Sequence, residues 1–180
     1  VSDVTENMEK FELGIAVQKV YDFIWGEFCD WYIEMVKPRL YRTDDAVSKE
    51  AALWTLQTVL IGGLKLLHPF MPFITEEIFS TIQTKEPSIM ISSWPKRRED
   101  FDFPEQEKDI EMIKDAVSGI RKMRSDRNVA PSRKSKVYVV SDSDKTLEVF
   151  RKDQLFFETL AYANEIVLQK DQAGIPDGAV

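Results

Sequence analysis

Between Arg121 and Lys136 the basic residues are Arg121, Lys122, Arg124, Arg127, Arg133, Lys134 and Lys136, against the single acid Asp126. Clustered Lys and Arg draw phosphates, and Arg can also hold two acceptors at once or stack on a base. A smaller basic group is Lys37, Arg39 and Arg42. The chain as a whole is acidic, with net charge −7, and its acids lie mostly outside these basic groups, with clusters at 6–12, 44–50 and 99–115. That balance argues against general coating of a polyanion. It suits an acidic body with local basic patches that make a selective RNA contact. A plainer reading stays open for both groups: basic residues at a helix end are favoured by the helix dipole alone.

No catalytic constellation accompanies the cations. His68 is the only histidine and Cys29 the only thiol, so a nucleophile with a histidine base would need His68, and neither residue has metal-ligating company. His68 is expected to be structural, at a helix end, and Cys29, beside Phe28 and Trp31, to be a core residue. Glu76 and Glu77 are neighbours that do not face each other on a helix, and acids in a first turn have a dipole explanation. There is no glycine-rich phosphate loop; Gly62–Gly63 lies inside a leucine stripe, where a close helix–helix contact is expected. The expectation is that no catalytic, cofactor-binding or metal-binding residue lies in this chain. Trp25, Phe28, Trp31 and Trp54 are read as core rather than as stacking platforms for bases.

At 180 residues and 43% apolar, the chain can bury a substantial core. Its longest apolar stretch, around Leu53–Leu67, is interrupted by Thr55, Gln57, Gly62, Gly63 and Lys65, so no membrane span is expected. One cysteine makes no internal disulfide, which points to a reducing cytoplasm. The start, VSDVTENMEKF, has no signal-peptide pattern and no initiator methionine, and reads as an excised fragment or a processed chain.

The elements that must position these residues are mostly helices. Leu13, Ala16, Val17, Val20, Ile24, Phe28, Trp31 and Met35 form one long amphipathic stripe, which Pro38 is expected to end or bend. Thr43, Asp44 and Asp45 offer caps for a second helix, striped by Leu53, Leu56, Leu60, Leu64 and Leu67 and closed before Pro69. Thr75 is expected to cap a short third helix reaching about Ile82, and Ser88–Trp94 to run extended, covering the core with Ile89, Ile91 and Trp94. Pro104 opens a fourth long helix, striped by Ile110, Ile113, Val117 and Ile120 and stopped by Pro131. Beyond it the texture changes: Lys136–Val140 reads as a strand, 147–160 as a helix capped by Asp142 or Ser143, and Asn164–Gln169 as a second strand. The expected fold class is mainly α: a helical bundle over 1–131, then a small β-α-β appendage over 132–180, with a frayed tail.

Three stretches carry a family resemblance. EFCDWY with KPRLY (Glu27–Tyr32, Lys37–Tyr41), LHPFMPFITEEI (Leu67–Ile78) and IRKMRSDRNVAPSRK (Ile120–Lys134) together resemble the anticodon-binding domain of class I aminoacyl-tRNA synthetases. Within that family the first and third look most like the valyl branch, and the second is shared with the leucyl and isoleucyl branches. The resemblance is close over Asp3–Val140 and looser beyond. It implies a helical bundle that docks the anticodon stem-loop of tRNA(Val), with Lys37, Arg39, Arg42, Arg121, Arg124, Arg127, Asn128 and Lys134 as candidate RNA contacts. It also implies a monomeric parent enzyme that ligates valine to tRNA with ATP and Mg and edits mischarged threonine. The catalytic domain and coiled coil of the same polypeptide would be this chain's partners. The HIGH-like and KMSKS-like signatures of such an enzyme do not occur in these residues. The alternatives are the same domain of an isoleucyl or leucyl enzyme, or a helical protein-interaction module without RNA binding.

Overall fold

The structure, a computed structural model, describes residues 1–41, 44–83, 85–130 and 132–179. The mainly α class holds: eight α-helices accompany one pair of strands among the described residues. Two compact units divide between Asp100 and Phe101. The change of sequence texture after 131 is therefore not where compactness changes. The fourth long helix belongs to the second unit, because its buried stripe lies in the part of the chain that also holds the strands.

In the first unit, α1 (Ser2–Glu9) and α2 (Leu13–Asp22) are joined by a left-handed residue, Phe11, at φ 59°. The helix begun at α2 then widens into eleven residues of π-helix, Phe23–Ile33, and continues as α3 (Glu34–Tyr41). Pro38 thus does not end it. Proline removes one donor, and less than a turn of helix lies beyond Pro38, which limits the loss. The expected stripe is buried at Ala16, Val20, Phe28 and Met35, while Leu13 is exposed. In α4 (Ala46–Leu67) the cap is Asp45, whose carboxylate accepts from the Ser48 N–H at 2.9 Å. Leu64 and Leu66 are buried there, but Leu53 is exposed. Gly63 meets the π-helix: a Cβ on it would lie 3.6 Å from Ile24 Cγ1, an ordinary contact, and Gly62 meets nothing.

Two further expectations fail in this unit. The third helix, α5 (Pro72–Ile82), starts on Met71 with Pro72 in its first turn, so Thr75 is not its cap. Thr75 is instead fully buried; its hydroxyl donates to the Met71 carbonyl at 2.8 Å and sits 2.7 Å from His68 Nδ1. A hydroxyl has one proton, so His68 Nδ1–H is the donor in that pair, a structural role. Glu76 is likewise structural, accepting from Ser88 Oγ and the Ile89 N–H at 2.9 and 3.2 Å. The Ser88–Trp94 segment holds a short 3-10 turn, Ile89–Ile91, rather than running extended. Only Ile89 is buried there, and Ile91 is exposed. Trp94 packs on the Val4, Ala16, Val20 and Leu66 cluster and donates to Thr5 Oγ1 at 2.9 Å.

The second unit runs α6 (Pro104–Asp126), β1 (Ser135–Val140), α7 (Asp144–Lys152), α8 (Gln154–Leu160) and β2 (Ala163–Gln169). The strands pair in parallel, Val137 opposite Ile166 and Val139 opposite Leu168. Ser143 caps α7. The single helix expected over 147–160 is two, broken at Asp153. Ile113, Val117, Leu147, Phe150, Phe157 and Leu160 are the larger side chains among the unit's buried apolar residues, with Phe150 and Phe157 edge to face at 5.2 Å.

Candidate nucleic-acid interface

The end of α6 is built by its own sequence. Asn128 stands in the left-handed region at φ 54°; its N–H bonds the Ser125 carbonyl, and the Val129 N–H bonds the Arg124 carbonyl. That paired pattern closes a helix, and it requires glycine or a residue such as asparagine that tolerates the conformation. Asn128 therefore stops the helix. The stop expected from Pro131 falls outside the described residues, and the helix ends before it. Asn128, offered as an RNA contact, thus has a backbone duty of its own, while its exposed side chain bonds no other described residue.

Arg124 is buried, 9% exposed. Its guanidinium donates to Ser135 Oγ at 2.7 Å, the Ala130 carbonyl at 3.0 Å and the Arg133 carbonyl at 2.5 Å. One face lies 5.7 Å from the Tyr162 ring centre. Those bonds knit the helix end to Ala130, to Arg133 and to the start of β1. Arg121 donates from Nε to the Leu160 carbonyl at 2.7 Å. Around these two, Lys122, Arg127, Arg133 and Lys134 are exposed, and none of their side chains bonds another described residue. Lys136 differs: Glu165 holds it at 2.8 Å and raises its pKa, chiefly through that hydrogen bond.

The smaller group in the first unit is arranged otherwise. Lys37 is bonded to Glu34 one turn back. Arg39 reaches the start of α4, donating to Ser48 Oγ at 2.9 Å and the Ser48 carbonyl at 3.0 Å. Arg42 lies outside the described residues. Sequence reasoning passed over Lys96–Arg98, three cations in a row in the connector after Trp94. Arg98 pairs with Asp100 at 2.5 Å, and Lys96 is exposed.

Two of the four aromatics read as core are not. Trp25 is 58% exposed, lying 6.4 Å from Tyr21, and Trp54 is 53% exposed. Trp54 lines a surface cavity of 440 Å³ with Gln57, Ile61, Phe79 and Ile82. Phe28 is buried, whereas Trp31 and Cys29 are only partly so. Among the described residues no three His, Cys, Asp or Glu side chains are grouped to hold a metal ion, and no helix is long and apolar enough to cross a membrane.

With this arrangement in view, comparison with known sequences defines the class. The chain belongs to the family of anticodon-binding domains of tRNA ligases, which matches residues 1–139. Over its whole length it is similar to valine–tRNA ligases. It is 45% identical to that of Clostridium tetani and 46% identical to that of Clostridium perfringens over 180 residues, 100% of this chain and 20% of each relative. The enzyme of Fusobacterium nucleatum is 41% identical over 171 residues, 94% of this chain and 19% of its own length. The chain thus spans about a fifth of the length of the curated relatives it matches.

Proposed function

We propose that this chain is the anticodon-reading part of a valine–tRNA ligase, holding the anticodon stem-loop of tRNA(Val) through the cations around the end of α6. Lys122, Arg127, Arg133 and Lys134 contact phosphates or bases there, joined by Arg121; Arg124 and Asn128 shape the turn that carries them. Lys37, Arg39 and Arg42 form a second, weaker group. The observation that carries this reading is that Lys122, Arg127, Arg133 and Lys134 are exposed, with no side-chain partner among the described residues, around a closed helix end of an otherwise acidic chain. The family and the valine–tRNA ligase relatives supply the kind of RNA. On the same reading the full-length enzyme is a cytoplasmic monomer that joins valine to tRNA. That chemistry, with ATP and Mg, belongs to the rest of such an enzyme, and no residue of this chain is assigned to it.

The test is binding of this chain to the tRNA(Val) anticodon stem-loop across a range of salt, beside a stem-loop whose last two anticodon bases, A and C, are exchanged. Affinity that falls steeply with salt and drops on exchange is expected. Equal affinity for the two loops refutes base reading, and salt-independent binding refutes the cationic contact.

A further inference from the structure

We infer that the segment after β1, ending in Tyr162, is the positioning device that holds Ala130, Arg133 and the cations beside them in their RNA-competent arrangement. The inference rests on the RNA-reading role proposed above and assigns the appended α/β segment a part in it.

These residues are fixed at the start by the helix they follow and at the finish by a group far away in sequence. At the start the Val129 N–H is bonded to the Arg124 carbonyl; at the finish the Ser135 N–H is bonded to the Tyr162 carbonyl at 3.2 Å. Between them the Arg124 guanidinium grips the carbonyls of Ala130 and Arg133. Arg124 itself is held on its open face by the Tyr162 ring. One residue, Tyr162, thus supplies both the backbone acceptor that ends the turn and the ring that backs the arginine organising it. Just before it, the Leu160 carbonyl takes the Arg121 Nε–H, tying the preceding turn of α6 to the same point.

Tyr162 pays a conformational penalty for this position. It stands at φ 56°, where glycine or asparagine sits with far less strain than a bulky aromatic residue. Such strain persists only where the surrounding structure holds the residue in place, and here the ring lies over Arg124. Phosphate contacts made by cations on a pre-shaped turn lose less freedom on binding than those on a loose one. The positioning therefore acts on affinity without contributing a charge.

The experiment uses this chain with Tyr162→Asn, which tolerates the left-handed backbone but removes the ring, and Tyr162→Phe, which keeps the ring. Stem-loop affinity is measured over salt, and amide hydrogen exchange is followed without RNA. Tyr162→Asn is expected to weaken binding about three- to tenfold with the salt slope unchanged, because no cation is lost. The amides of Val129, Arg133 and Ser135 should exchange faster while those of Val137–Val140 stay protected, and Tyr162→Phe should behave as wild type in both measurements. Wild-type affinity in Tyr162→Asn overturns the inference, as does faster exchange across Val137–Val140, which would make the ring a general support of the unit. If the wild-type chain itself binds no stem-loop, the RNA reading fails on its own. The exchange pattern then still decides whether Tyr162 holds the turn.

Discussion

At the carboxyl ends of α3 and of α6 the chain places cations where a helix dipole favours them, but the two groups are used differently. In the first, Lys37 is bonded to Glu34 and Arg39 to Ser48, so both described cations are engaged in holding the helix and its junction with α4. In the second, Arg124 and Arg121 take up the junction, bonding three carbonyls and a hydroxyl between them, and Lys122, Arg127, Arg133 and Lys134 stay exposed. Local acids account for part of the contrast: Glu34 lies one turn from Lys37, whereas Asp126 is the one acid from Arg121 to Lys136. Counting basic residues therefore overstates the first group relative to the second. A cation available to a phosphate is one the fold has not already engaged.

The largest effect is expected where the contrast is sharpest. Replacing Arg127, Arg133 and Lys134 together with Ala should weaken stem-loop binding on the order of a hundredfold and flatten the salt slope by about 2 to 3, since each lost phosphate contact removes roughly 0.7–0.9. Exposed side chains without partners contribute little to folding, so the unfolding midpoint should hardly move. A salt titration beside a thermal melt reads both. The comparison collapses if Lys37→Ala with Arg39→Ala flattens the slope as much.

Arg124→Ala should act in the opposite sense, chiefly on stability. It removes the partner of the Ala130 and Arg133 carbonyls and of Ser135 Oγ together with the buried arginine side chain, a loss of about 1–3 kcal/mol measured by denaturant unfolding. Its effect on the salt slope should be smaller than that of Arg127→Ala. If Arg124→Ala spares stability and flattens the slope like an exposed cation, the division between organising and contacting arginines is wrong.

Sequence showed the two groups but could not rank them. Arg124 and Arg127 are alike in composition and three residues apart, yet only the first is buried, with Ala130, Arg133 and Ser135 bonded to it and the ring of Tyr162, thirty-eight residues on, over it. Such a long-range contact leaves no local mark. The helices were legible because their apolar spacing and caps are local: Asp45 and Ser143 cap as their types predict. The π-helix was missed for want of a mark: Ile24 and Phe28 step by four, but so do Leu56, Leu60 and Leu64 in the plain α-helix α4. Trp25 and Trp54 were taken for core because aromatic residues usually are, and which side of a widened helix faces solvent is not written in the stripe. Asn128 was picked out with the cations, yet its backbone role needed the φ angle to be seen.

Smaller effects sharpen the contrast further. Arg39→Ala should cost about 1–1.5 kcal/mol through loss of the two bonds to Ser48, with little change in the salt slope. Asp153→Asn tests whether net charge alone governs binding. Burial, and then the nearby Asp109 charge, raise the Asp153 pKa, so its protonated form is the one the fold favours. The stability it contributes is complete below the ordinary Asp range and is lost as pH rises through the raised value. At neutral pH the Asn variant should melt slightly higher, by about 0.5 kcal/mol after solvent screening, and the gain should vanish in acid. It adds one unit to the net charge but no cation, so stem-loop affinity should change less than twofold.

The smallest expected effect tests the premise most directly. Lys37 and Glu34 are 45% and 40% exposed, so their pairing contributes only about 0.3 kcal/mol to the helix. To serve a phosphate, Lys37 must leave Glu34, and that competition keeps its contribution to binding low. Lys37→Ala should therefore reduce stem-loop affinity less than twofold. Glu34→Gln keeps the lysine and removes its competitor. If RNA passes near the end of α3, this variant should bind slightly better than wild type, and its salt slope should steepen by up to about 0.7–0.9, one phosphate's worth. A slope that stays put in Glu34→Gln places the RNA path away from α3 and leaves the end of α6 as the sole contact region among the two. A large loss in Lys37→Ala would show instead that an engaged cation is still available to RNA, and would remove the distinction on which the ranking of the two groups depends.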